Sequence, residues 1–177
     1  MMSLLCLNGA HVDRVDADGR TPLHTVARQG HAAAARALLA GGADATLRND
    51  EQHQLTLRLA AIYGRVGVLR AMIEHGVDVN DADGLGFTPL HDAAAADQAA
   101  AIDVLVGAGA DIEAQVDGRR STPMFLAASR SNVSAVAAML KHGASASVQN
   151  AIGRTPSHAA ATGAGRVGTA RRWWTFC

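Results

Sequence analysis

Eight histidines in a chain of 177 residues invite metal or acid–base chemistry, because imidazole titrates near neutrality and ligates zinc readily. Their spacing argues against both. His24, His91 and His158 each stand fourth in a segment that begins Thr-Pro, and His75 and His142 each precede a recurring glycine. Equivalent slots in successive structural units are separated by a whole unit, too far to share one ion. His53 lies off that frame, in a polar stretch with no second ligand in view. Asp78, Asp81 and Asp83 lack the Gly-centred spacing and terminal Glu of a calcium loop, so they are expected in a solvated turn. "GAGRVG" at 163–168 satisfies G-x-G-x-x-G formally, but dinucleotide binding needs a strand before that pattern and a helix after it. Here a predicted helix precedes it and only nine residues follow. Cys6 and Cys177 match no zinc or redox spacing, and no general base is evident for either thiol. No catalytic constellation emerges, and no metal or cofactor is expected.

What the histidines do mark is a period. "TPLH" at 21–24 returns as "TPLH" at 88–91, "TPMF" at 122–125 and "TPSH" at 155–158. With "LTLR" at 55–58 as a degenerate copy, the starts are Thr21, Leu55, Thr88, Thr122 and Thr155, at intervals of 34, 33, 34 and 33. A second marker, seen in "GGAD", "HGVD", "GAGAD" and "HGAS", places Gly42, Gly76, Gly109 and Gly143 each 21 residues after a motif start. The extra residues therefore fall in the connecting segment, where a turn tolerates an insertion and a packed helix does not. Thr suits an N-cap and Pro the first helical position, where no N–H is needed; all four prolines occupy that slot. A short helix follows, then a break at Gly30, Gly64, Asp97 or Ser131, a second helix, and a stop at the marker glycine. The remainder is rich in the Asp, Asn and Gly of tight turns. Each unit reads helix, turn, helix, projecting loop, and such a unit buries its apolar face only by stacking on neighbours.

These residues give the chain a resemblance to ankyrin-repeat proteins, a family with a period near 33 and a Thr-Pro-Leu-His-x-Ala signature. "TPLHTVARQGH", "TPLHDAAAAD", "GGADA" and "GAGADIEA" carry the resemblance, which spans roughly residues 4–162. It implies an all-α solenoid of stacked helix-turn-helix units with projecting β-hairpin loops. A partial repeat at 1–20 would precede repeats starting near 21, 55, 88, 122 and 155, with an irregular tail at 163–177. It also implies that the motif histidine is structural, linking neighbouring loops by hydrogen bonds. Repeat 2 departs from the pattern in lacking the Thr-Pro cap at Leu55-Thr56, and is expected to be the weakest interior layer. The tail puts Arg172 and Trp173 where the register calls for leucines, as a capping device or as a truncated or mis-spliced repeat.

Composition agrees with thin helical layers: 49% of residues are apolar but only 3% aromatic. The start "MMSLLCLNGA" lacks the basic region and apolar length of a signal peptide, and no run approaches the ~18 apolar residues of a membrane span. The expectation is a monomeric protein of the cytoplasm or nucleus. Zero net charge conceals a division, with 8 basic against 15 acidic residues in 1–116 (−7) and 8 against 1 in 117–177 (+7). Binding of nucleic acid or an anionic surface by the basic half is disfavoured, since no aromatic stacking platform lies among Arg119, Arg120, Arg130 and Arg154. The resemblance implies instead a protein partner, held on the loop tips and exposed side of the first helices, with the chain as scaffold or adaptor. Carried over by position, the tips offer Asp18, Arg20, Glu51, His53, Leu85, Phe87, Arg119, Arg120, Ser121, Ile152 and Arg154. The first helices add Thr25, Arg28, Tyr63, Asp92 and Arg130. The alternative is a regulatory ankyrin portion of a larger enzyme or channel.

Overall fold

A computed structural model describes residues 12–48, 56–116 and 118–163. Among them lie nine helices in pairs: α1 (Pro22–Gln29) with α2 (Ala32–Ala40), α3 (Thr56–Ile62) with α4 (Val66–Glu74), and α5 (Pro89–Ala95) with α6 (Ala99–Gly107). α7 (Pro123–Ser129) pairs with α8 (Val133–Lys141), and α9 (Pro156–Gly163) begins the last unit. First helices pack on first helices (α1, α3, α5, α7, α9) and second helices on second helices (α2, α4, α6, α8), so two helical layers run the length of the stack. The tail beyond residue 163, with Cys177 and most of "GAGRVG", and the first eleven residues with Cys6 lie outside the described residues, as do Glu51, His53 and Leu55.

The motif explains each helix start. Thr21, Thr88 and Thr122 are extended N-caps whose hydroxyls accept from the backbone N–H three residues on, with Pro at the first helical position. In α1 and α5 the histidine completes a reciprocal cap: its Nδ1 accepts from the backbone N–H of Thr21 or Thr88, at 3.2 Å in each. The break residues Gly30, Gly64, Asp97 and Ser131 all adopt the left-handed conformation, at φ 90°, 61°, 57° and 60°. The marker glycines 42, 76, 109 and 143 do the same at the ends of the second helices.

The core follows from the repeat frame. Leu23, Leu57, Leu90 and Met124 are buried at one slot of the first helices, and Leu38, Met72, Leu105 and Met139 at one slot of the second. Alanines fill the closest approaches, among them Ala27, Ala60, Ala61, Ala93, Ala94 and Ala127. Gly67 marks the limit: a Cβ added there would lie 2.9 Å from the Ala32 side chain. Small residues at these positions let the layers approach closely, which is why so few aromatics suffice.

The connecting loops are hairpins in outline but not β-ladders. No strand forms among the described residues; the tips at 16–20 and 83–87 are closed by one cross-arm pair, Asp16 N–H to the Arg20 carbonyl (3.0 Å) and Asp83 N–H to the Phe87 carbonyl (3.1 Å).

Repeat 2 shows the consequence of its missing cap. Thr56 begins α3 fully buried, and its hydroxyl has no hydrogen-bond partner. Leu55→Thr with Thr56→Pro would supply a capping hydroxyl and delete the orphaned one. We expect a gain of about 1–2 kcal/mol, or roughly 2–8 °C in Tm by calorimetry. An unchanged Tm would refute the capping account.

Candidate partner-binding surface

The loops are held by their own side chains. Asp16, Asp83 and Asn150, each five residues before a motif Thr, fold back so that one side-chain oxygen accepts two backbone N–H groups. For Asp83 these come from Leu85 and Phe87, both at 2.9 Å. The same bonds from Arg20 and Asp18 hold the Asp16 carboxyl below its ordinary range. Its signal in the sequence is Asp, Asp and Asn at a constant offset before the motif Thr, outside the Thr-Pro frame itself. Neighbouring units are stitched too: Asn80 Oδ1 accepts from Asp111 N–H (2.8 Å), and its Nδ2 donates to the Gly109 carbonyl (3.1 Å). These backbone N–H groups are thereby engaged within the chain.

His91 extends the stitching as the resemblance implied. Nδ1 accepts from Thr88, which leaves Nε2 to donate to the Ser121 carbonyl of the next loop at 3.2 Å. Burial pushes its pKa down to about 4, against the pull of the Ser121 carbonyl, so the ring is neutral.

Repeat 2 carries Arg58 in the histidine slot, and this changes the next layer. The buried guanidinium donates from Nε and Nη2 to Asp92 (2.5 and 3.2 Å) and from Nη1 to Asp83 (2.5 Å). Two assignments are thereby corrected. Asp92 is buried and committed to Arg58, so it is not part of an exposed binding strip. Asp83 is not a solvated turn acid but one arm of an internal ion cluster. Burial raises the Asp92 carboxyl, opposed by Arg58. Burial would also raise Asp83, but the N–H groups of Phe87 and Leu85 together with Arg58 hold it below the usual range.

The remaining sites divide by exposure. Ser121 is buried, its carbonyl engaged by His91, so its side chain is likewise unavailable. Phe87 is half-buried, its ring edge-on to His91 at 5.7 Å between centroids. Tyr63, Leu85 and Ile152 are exposed by 43%, 56% and 73%, large apolar side chains that folding leaves in water. The Arg65 guanidinium lies 6.0 Å from the Tyr63 ring centre. Asp18 and Arg20 pair with each other at 2.7 Å. Thr25, Arg28, Arg119, Arg120, Arg130 and Arg154 are exposed, with Arg130 Nη1 donating to the Ala95 carbonyl. On the second helices, Val133 (76%) and Leu140 (52%) are also exposed, in slots that are buried or half-buried in α2, α4 and α6. Among the described residues no group of three His, Cys, Asp or Glu is placed to hold a metal, and no helix is long and apolar enough to cross a membrane.

A family model for ankyrin repeats, in three copies, matches residues 1–83, 42–116 and 90–171. This chain belongs to the ankyrin-repeat family. It is an all-α repeat solenoid, and ankyrin repeats are protein-interaction modules. Among curated proteins it is 30% identical over 169 residues to the transient receptor potential cation channel subfamily A member 1 of Drosophila melanogaster, covering 92% of this chain and 14% of the channel. A Danio rerio protein named for palmitoyltransferase activity, ZDHHC13, is 32% identical over 149 residues, 83% of this chain and 23% of its own length. Neurogenic locus notch homolog protein 1 of Xenopus laevis is 34% identical over 139 residues, 78% of this chain and 5% of its own. The chain thus spans less than a quarter of each of these relatives.

Proposed function

We propose that this ankyrin stack is a non-enzymatic scaffold or adaptor that binds a protein partner along its loop tips and the exposed side of its first helices. One observation carries the reading. Tyr63, Leu85 and Ile152 stand in solvent on a framework whose loops are locked by their own Asp and Asn side chains. Preformed loops lose little conformational entropy when a partner docks, so exposed apolar groups on them convert efficiently into affinity. The strip is offered by Asp18, Arg20, Arg28, Tyr63, Leu85, Arg119, Arg120, Arg130, Ile152 and Arg154, with Phe87 at its edge.

A second reading is a regulatory portion of a larger channel or enzyme. Similarity over 92% of this chain to 14% of a cation channel favours it, and in-frame coding sequence for a pore or transferase domain beyond either end would establish it.

Quantitative cross-linking in lysate separates the proposed strip from the opposite layer. Tyr63→Asp with Leu85→Asp is expected to reduce the captured partner at least ~tenfold, whereas Val133→Asp with Leu140→Asp leaves it unchanged. The reverse pattern would move the interface to the second helices.

A further inference from the structure

Two residues before each motif Thr, the loop backbone turns left-handed: Gly19 at φ 67°, Gly86 at 81°, Arg120 at 52° and Gly153 at 75°. Three of the four are glycine, which adopts this conformation at no steric cost. Arg120 alone holds a Cβ there, and folding alone would favour glycine. Its side chain does little in return for the fold, donating from Nε to Gln115 Oε1 at 3.2 Å in an exposed pair.

The position gains a cation where cations already gather. Residues 117–163 contain Arg119, Arg120, Arg130, Lys141 and Arg154 against a single acid, Asp117. Lys141 belongs to the second-helix layer, where it meets Asp103 at 3.1 Å. The loop arginines are brought together by the main chain, since Ala151 N–H donates to the Arg119 carbonyl at 2.9 Å. The loop holding Arg119 and Arg120 therefore adjoins the loop holding Ile152 and Arg154. The exposed Ile152 and Arg154 thus lie on a loop tied to the one that carries Arg119 and Arg120, and among the described residues none of the three arginines forms an ion pair.

We infer that these two adjoining loops dock an acidic protein segment in which carboxylates alternate with an aliphatic residue. The inference rests on the interaction reading above and specifies its partner. Arg119, Arg120 and Arg154 meet the carboxylates, and Ile152 receives the aliphatic group. Nucleic acid fits less well: residues 118–163 contain no Trp or Tyr, and Phe125 is half-buried in the motif slot, so no aromatic platform is free for a base.

The probe is a fluorescein-labelled peptide alternating Glu and Leu, followed by anisotropy on the full chain. Glu–Ser and Lys–Leu peptides, a single-stranded oligonucleotide and anionic phosphatidylserine vesicles serve as comparisons. Binding is expected for Glu–Leu, weakening with salt. Arg119→Glu with Arg154→Glu should weaken it at least ~tenfold, while Arg70→Glu, exposed on α4, leaves it within about twofold. Ile152→Ser should abolish the preference for Glu–Leu over Glu–Ser. Arg120→Gly should melt about 2–4 °C higher than the parent chain yet bind about threefold or more weakly, separating stability from recognition. The inference is overturned if Glu–Leu does not bind, if Arg70→Glu weakens it equally, if Arg120→Gly leaves affinity intact, or if the oligonucleotide or vesicles bind more tightly. Should peptide binding fail while capture still depends on Tyr63 and Leu85, this inference falls and the interaction reading stands.

Discussion

Asp92→Ala is expected to destabilise the fold by about 3–5 kcal/mol and to lower the melting temperature by on the order of 10 °C. Arg58 donates two of its three hydrogen bonds to that carboxylate inside the stack, and a buried guanidinium that loses its principal acceptor retains the full cost of leaving water. Asp83 still meets Nη1, which places the loss toward the lower end of the range. The cluster stands where other repeats use histidine: His91 reaches the Ser121 carbonyl from the slot that Arg58 occupies one repeat earlier. One repeat on, the slots of Arg58 and of Asp92 are held by His91 and Leu126. Arg58→His with Asp92→Leu borrows that combination and is expected to recover most of the stability lost by Asp92→Ala, with the Phe87 carbonyl as the new histidine's acceptor. Urea denaturation of the three variants decides. If Asp92→Ala costs under about 1 kcal/mol, or the double variant is no better than the single, the ion cluster is not the unit described.

The repeat architecture was legible because its signals are local and recur. A Thr-Pro at each helix start, a break residue in the middle and a glycine at the stop report on backbone geometry that any stacked unit must satisfy. The structure places them accordingly, down to left-handed Asp97 and Ser131 in the slot of Gly30 and Gly64. What escaped was chemistry specific to one layer. Arg58 looked like decay of the motif, and Asp92 like a first-helix surface residue, because neither is informative alone. Only the packing of α3 on α5 shows that the arginine on one and the aspartate on the other compensate each other. Phe87 shows the same limit from the other side. An aromatic at a loop tip reads as a contact residue, but the ring turns inward toward His91. Surface residues such as Leu85 and Ile152 need no partner within the fold, so position in the repeat sufficed to find them.

Acidification tests the histidine staple directly. His91 titrates at about 4 in the folded chain, chiefly because burial penalises the imidazolium, against an ordinary value of 6.5. Above pH 6.5 the ring is neutral in both folded and unfolded chains and contributes no pH dependence. As pH falls from 6.5 toward 4 the unfolded chain takes up a proton that the folded chain refuses, so stability declines with falling pH. The loss approaches about 3 kcal/mol and levels off below the folded value, where both states are protonated. The geometry acts in the same direction as burial: a proton on Nδ1 would face the Thr88 N–H that the nitrogen now accepts, setting donor against donor. Arg58 adds to the depression and Asp83 opposes it, so the effect belongs to the same neighbourhood as the ion cluster. Denaturation midpoints followed from pH 7.5 to 4 should therefore fall steeply in the parent chain. In His91→Gln, which lacks the titrating group and starts from a lower midpoint, the fall should be shallower by most of that 3 kcal/mol. Parallel curves for the two chains would mean that other groups drive the acid sensitivity, and that the neutral histidine is not what couples the third repeat to the fourth.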